Sequence, residues 1–177
     1  MRGAAAALLL LVSAAALAAE PKSTPTKSSA NGLYAIRLQQ VGDKKCRIQV
    51  MKDRDVAWQM DKCLGTVDDL LFINNDGSRF WVLSVVPEIP ERAAGAKTDP
   101  VFEATVAAEY DKDGRLLASR KLKDFLEYKR RGLVRKLEKH FKWLEGVLDV
   151  PGKSPRVSDA ELLELEPVGG KTQQLRF

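Results

Sequence analysis

Residues 80–86, "FWVLSVV", are apolar at all but one position. A strand of this kind points side chains to both faces of its sheet and has nothing to show to water on either. The run is what a central strand covered on each side is expected to show. It follows the turn "NNDGS" (74–78), and "DKDGRLLAS" (111–119) echoes that pattern about thirty-five residues later. In both, Gly77 and Gly114 are placed to supply the left-handed position of a hairpin loop, and the preceding Asn or Asp to accept local backbone hydrogen bonds. A calcium loop needs more alternate carboxylates and a closing bidentate Glu. Asp111 and Asp113 supply two and Asp76 only one, so the two loops read as architecture.

The rest of the chain after Gly32 repeats this logic. Short runs with period-two alternation or β-branched and aromatic enrichment are separated by turn residues. Strands are expected at 33–40, 45–51, 56–64, 70–74, 79–86, 101–110, 115–120, 161–166 and 171–177. The fold class is mainly β: an antiparallel meander of hairpins, as a sandwich, a bent sheet or a pair of propeller-blade-like units. In the tail, a two-residue Gly169-Gly170 loop would set Val168 against Lys171 and Leu163 against Arg176. Pro167 cannot donate to a ladder, so that hairpin belongs at an edge. Trp58, Trp81 and Trp143 read as core, with an exposed aromatic shelf for sugar as the alternative.

One segment breaks the alternation. Between residues 131 and 144 the apolar residues Leu133, Val134, Leu137, Phe141 and Leu144 recur at helical spacing, which predicts one amphipathic helix before the C-terminal hairpin. Its other face would carry Arg131, Arg135, Lys136, Lys139 and Lys142. From 129 to 142 there are seven Lys or Arg against Glu138 alone. That face is the candidate dock for an anionic partner: an envelope protein, an acidic glycan or a lipid surface. Its competitor is a merely solvated face, or one neutralised by the acidic tail residues Asp159, Glu161, Glu164 and Glu166.

The N-terminus bears on location. Arg2, an uncharged run from Gly3 to Ala19, and small residues at Ala16 and Ala18 form the pattern of a secretory signal peptide, residues 1–18. A leader, 19–32, is Pro, Ser, Thr and Lys rich and is expected to be disordered. One β-rich domain, 33–177, then follows, with no later run of membrane-spanning length. Without Arg2 the chain has 28 basic and 24 acidic residues, a surplus of +4 that does not call for nucleic acid. The localisation expected is periplasmic or extracellular, and there Cys46 and Cys63, the only cysteines, should form a disulfide. Register raises a difficulty. If Val50 pairs with Trp58 and Ile48 with Met60, Cys63 falls on the opposite face from Cys46, unless a bulge near Asp61 and Lys62, or a longer loop that puts Cys46 directly opposite Cys63, restores the match.

Catalytic constellations are sparse. His140 is the sole histidine, and no Ser, Cys or carboxylate stands at a motif spacing to it. Cys46, Cys63 and His140 lack the spacing of a zinc hook. "GGKT" (169–172) and "PGKS" (151–154) resemble the end of a phosphate loop, but each lacks the first Gly and a following helix. The expectation is therefore a non-enzymatic exported binding or interaction module without a cofactor. The alternatives are a small periplasmic enzyme using His140 and a structural subunit that pairs through an open sheet edge.

Overall fold

The computed structural model of the chain describes residues 21–92, 94–95 and 97–177, so the expected signal peptide lies outside the described residues. Apolar cross-strand pairs set the first sheet. Strands β1 (Lys27–Ser28), β2 (Tyr34–Gly42), β3 (Lys45–Lys52) and β4 (Asp55–Met60) pair antiparallel in that order. Ile36 faces Val50 and Leu38 faces Ile48, and all four are fully buried on one face. A second antiparallel sheet follows: β5 (Leu70–Ile73), β6 (Arg79–Leu83), β7 (Thr105–Asp111) and β8 (Leu116–Lys121).

β6 occupies the middle that its composition demands. Phe80 and Val82 join Leu71 and Ile73 against the first sheet. Trp81 and Leu83 point the other way, into a larger cluster with Phe102, Phe125, Trp143 and Leu163. The architecture is mainly β and sandwich-like, with a third layer made by residues 122–177. That layer holds the single helical turn α1 (Leu122–Phe125), the pair β9 (Arg135–Lys136) and β10 (Phe141–Lys142), and the three-stranded sheet β11 (Arg156–Val157), β12 (Leu162–Leu165) and β13 (Gln173–Arg176). Among the described residues no helix is long and apolar enough to cross a membrane.

The two Asp-Gly loops adopt one solution. Gly77 and Gly114 have φ of 74° and 76°, and their N–H groups donate to Asn74 O and Asp111 O at 3.2 and 2.9 Å. The side chains of Asn74 and Asp111 each accept two downstream backbone N–H groups. Gly77 also meets the first sheet: Trp58 Nε1 donates to its carbonyl at 2.7 Å, and a Cβ there would lie 2.5 Å from the Tyr34 ring. Gly77→Ala should therefore cost about 1–3 kcal/mol through backbone strain and this clash. Chemical denaturation checks it, and a change below 0.5 kcal/mol, roughly that of a neutral surface site, would contradict the docked turn.

Three expectations need correction. The segment 131–144 is not a helix. A 3₁₀ turn (Tyr128–Leu133) leads into β9 and β10, where Phe141 faces Lys136 and Lys142 faces Arg135. In a helix Trp143 would lie about 200° around the axis from Phe141, on the cationic side. Strand alternation instead buries both rings completely, and that burial outweighs a stripe whose Leu133 and Leu137 end up exposed. Residues 87–89 and 139–141 add a ladder: Phe141 N donates to Pro87 O and Ile89 N to Lys139 O.

The leader is ordered from residue 21. Lys27 and Ser28 pair with Ile36 and Ala35, and buried Thr24 exchanges hydrogen bonds with Leu38 through its N–H and Oγ1. Polar side chains that satisfy the open edge of β2 replace the apolar burial that its composition lacks.

In the tail the register is one residue off: Leu163 faces Leu175 and Leu162 faces Arg176. Leu163, Leu165 and Leu175 are thereby all buried, and the slip would have turned Leu175 to solvent. The loop lengthens accordingly, with Gly170 N–H donating to Pro167 O.

The disulfide forms, at an S–S distance of 2.04 Å, with Ile48 opposite Met60 and Val50 opposite Trp58 as expected. The bulge, however, lies at Val50/Met51. Cys63 reaches Cys46 because β4 ends at Met60 and the chain leaves the pleat before it.

Candidate functional site

The sequence-derived basic face is brought together only in part, and much of its charge is neutralised locally. Arg135 donates to Asp149 at 2.7 Å, Lys142 pairs with the same carboxylate, and Lys136 reaches Asp99 at 2.5 Å. Arg131 stacks over Tyr128, 4.5 Å from the ring centroid, and Lys139 forms no ion pair among the described residues. Lys142 holds the Asp149 carboxyl below its usual range. At Asp99 burial is the largest influence and pushes the carboxyl up, but the Lys136 hydrogen bond, the Val101 N–H and the charges of Lys136 and Arg92 together hold it below its usual range. The neutralising acids come from the loops 87–100 and 149–159, not from the tail. There Glu164 takes Arg156 and Gln174, and Glu161 accepts the N–H of Asn75.

His140 faces Glu88 across an isolated bridge. Its Nε2 lies 4.0 Å from Oε1 of a mostly exposed Glu88, beyond hydrogen-bond reach. Cys46 and Cys63 are consumed by their disulfide. Trp81 and Trp143 are buried, with their indole N–H groups bonded to Arg176 O and Ser84 O. An exposed pair of indoles is thus excluded.

The residue that sequence reasoning missed is Glu109. On β7 it lies directly opposite Trp81 of β6 and Ala118 of β8, on the face that packs against the C-terminal layer. Alternation fills such positions with apolar side chains, so an acid two residues after Ala107 on that face was the available signal. Its side chain is only 8% exposed. Among the described residues, Oε1 is the one buried side-chain nitrogen or oxygen without a hydrogen-bond partner. Arg79 Nη1 stands 3.5 Å away, near enough to attract and not aligned to bond. Burial pushes the carboxyl up from its ordinary value, against the pull of Arg79 and Arg120.

A raised carboxyl favours the protonated form in the folded state. Its destabilising effect is absent below the unfolded value, grows as pH rises from about 4.3, and is complete above the folded value. Glu109→Gln should therefore gain stability relative to wild type with rising pH, by roughly 1 kcal/mol at pH 8. Denaturation of both proteins at pH 4 and pH 8 measures this; an advantage that shrinks with pH would contradict it.

Over Glu109 lies an open cleft of about 400 Å³, lined by Ala118 and Arg120 on one side and by residues 173–176 of β13 on the other. A cleft of about 170 Å³ sharing Phe125 and Gln173 extends it toward Arg130 and Lys171. Another of about 400 Å³, sharing Arg176, extends it toward Arg79 and Phe177. These three clefts adjoin one another at shared residues beside β13 and are treated together as its groove. A hollow of about 520 Å³ beside the disulfide is larger, but its Arg47 and Asp61 satisfy each other at 2.7 Å.

β13 is an edge strand, and its outward backbone faces this groove. The carbonyl and N–H of Leu162 are engaged by Ser158 on the β11 side, so its partner Arg176 turns its own groups away from β12. Trp81 Nε1 indeed donates to Arg176 O at 3.1 Å. By alternation the N–H and carbonyl of Gln174 also face outward, and among the described residues no hydrogen bond outside the strand ladders engages them. The groove therefore offers a buried acceptor, guanidinium donors and an open backbone edge. Asp124 lines it as well, and its Oδ2 caps α1 by accepting Lys121 N–H at 2.7 Å.

No family model matches the chain. Nor does any curated protein or solved structure match it significantly.

Proposed function

We propose that the chain is an exported, non-enzymatic binding module that holds a polar partner in the groove along β13. The observation that carries this reading is the orphaned Oε1 of Glu109. A buried acceptor left without a donor costs about 1–3 kcal/mol, which a bound donor would recover. Arg120, Arg176, Gln173 and Gln174 line the same cleft and add the convergent polar groups expected of a binding site. The signal-peptide pattern of residues 1–18 and the Cys46–Cys63 disulfide support export to an oxidising compartment. An anionic dock on the basic segment is the weaker reading, because three of its five cations already have acids.

The test uses purified protein lacking residues 1–18 as bait for the envelope fraction of its own source. Arg120→Glu combined with Arg176→Glu should lower capture of a specific partner at least tenfold. Arg131→Glu combined with Lys139→Glu should leave it unchanged, and the reverse pattern would return the function to the basic segment.

A further inference from the structure

Resting on the groove reading, we infer that the occupant is an extended polypeptide segment that adds to β13 as a fourth strand of the β11–β12–β13 sheet and sets a hydroxyl- or amide-bearing side chain over Glu109. Three observations converge. The register with β12 turns the N–H and carbonyl of Gln174 outward, and one residue of a guest strand can exchange both hydrogen bonds with them. The N–H of Arg176 supplies another donor, while its carbonyl is held by Trp81. The guest then extends from the Arg176 end toward Lys171, the direction in which the groove continues.

Side-chain alternation supplies the specificity. A guest strand lies about 4.8 Å from β13, and its side chains on the Leu175 side point to the floor formed by Glu109, Trp81 and Ala118. A neutral donor suits that floor better than either charge. An ammonium would face Arg120 and Arg176, which line the same cleft, and Arg79, 3.5 Å from Glu109. A carboxylate would face Glu109 itself. Serine, threonine, asparagine or glutamine meets the orphaned oxygen and repels nothing. Three other strands are less suited. β4 and β8 both carry bulges, and the edge of β2 is covered by β1.

The test titrates isotopically labelled protein lacking residues 1–18 with a capped hexapeptide of alternating valine and threonine, following backbone amide resonances. Saturable shifts at Gln174, Arg176 and Glu109 are expected. The same peptide N-methylated at alternate residues, so that it offers no N–H to β13, should bind at least tenfold more weakly. Gln174→Pro should weaken the unmethylated peptide as strongly, since it removes an N–H that faces away from β12 and a proline is tolerated at such an edge position. The methylated peptide keeps the comparison valid if that variant folds poorly. Equal affinity of the two peptides, or no shift at residues 173–176 at millimolar peptide, would overturn strand addition. A chitin tetrasaccharide that shifts Glu109 and Gln173 where the peptide fails would leave the groove reading standing and remove the strand. Silence of the groove toward both the peptide and the native partner would remove the two together.

Discussion

Trp143→Ala should lower the unfolding free energy by about 3–5 kcal/mol, the range for a fully buried aromatic side chain. The side chain has no solvent exposure. Its ring stands 5.3 Å from that of Phe125, and its Nε1 donates to Ser84 O at 2.8 Å. Removal leaves a cavity in the larger cluster and an unpaired carbonyl at the end of β6, two costs that add. Small domains have only about 5–15 kcal/mol in total, so the variant should show a large drop in its urea midpoint. The value also discriminates between two structures of the same residues. On a surface helix from 131 to 144 the indole would sit among cations, and its loss would cost well under about 1 kcal/mol.

Removal of the disulfide, by reduction or by Cys46→Ser with Cys63→Ser, should cost about 2–4 kcal/mol. The bridge spans 17 residues of sequence, a loop for which the chain-entropy estimate is about 3 kcal/mol. It also fastens the exit of β4, the outer strand of the first sheet, to β3. Trp58 and Met60 pack from β4 onto the smaller cluster, so fraying of this edge should precede global unfolding. Urea denaturation with and without reductant gives the total. Amide exchange at residues 55–60 reports the local opening, and equal protection in both redox states would contradict the fastening role.

What the sequence revealed, and what it hid, follows from the range of the interactions. The double-sided run 80–86 and the two Asp-Gly turns are local statements, and Phe80, Trp81, Gly77 and Gly114 occupy the environments that their chemistry requires. The pairing of Ile48 with Met60 and Val50 with Trp58 was legible because one short loop joins strands whose apolar residues must share a face. The helix at 131–144 failed because its spacing satisfied two periods at once. The deciding partner, the backbone at Pro87 and Ile89, lies some fifty residues away and leaves no mark on the segment itself. The tail register failed more narrowly: the Gly-Gly step suggested a two-residue turn, whereas the burial of Leu175 fixed the pairing. Glu109 was missed although its signal was present, since the inward positions of 101–110 could have been checked singly for a charge. Its guanidinium neighbours come from β6, β8 and β13, which only the tertiary fold assembles.

The most direct test of the account is amide hydrogen exchange on the protein with and without its captured native partner. The groove reading predicts new protection at residues 173–176, and at 107–110 and 118–120 beneath them, with residues 131–142 unchanged. Protection confined to 131–142, with the β13 edge exchanging as in the free protein, would contradict it.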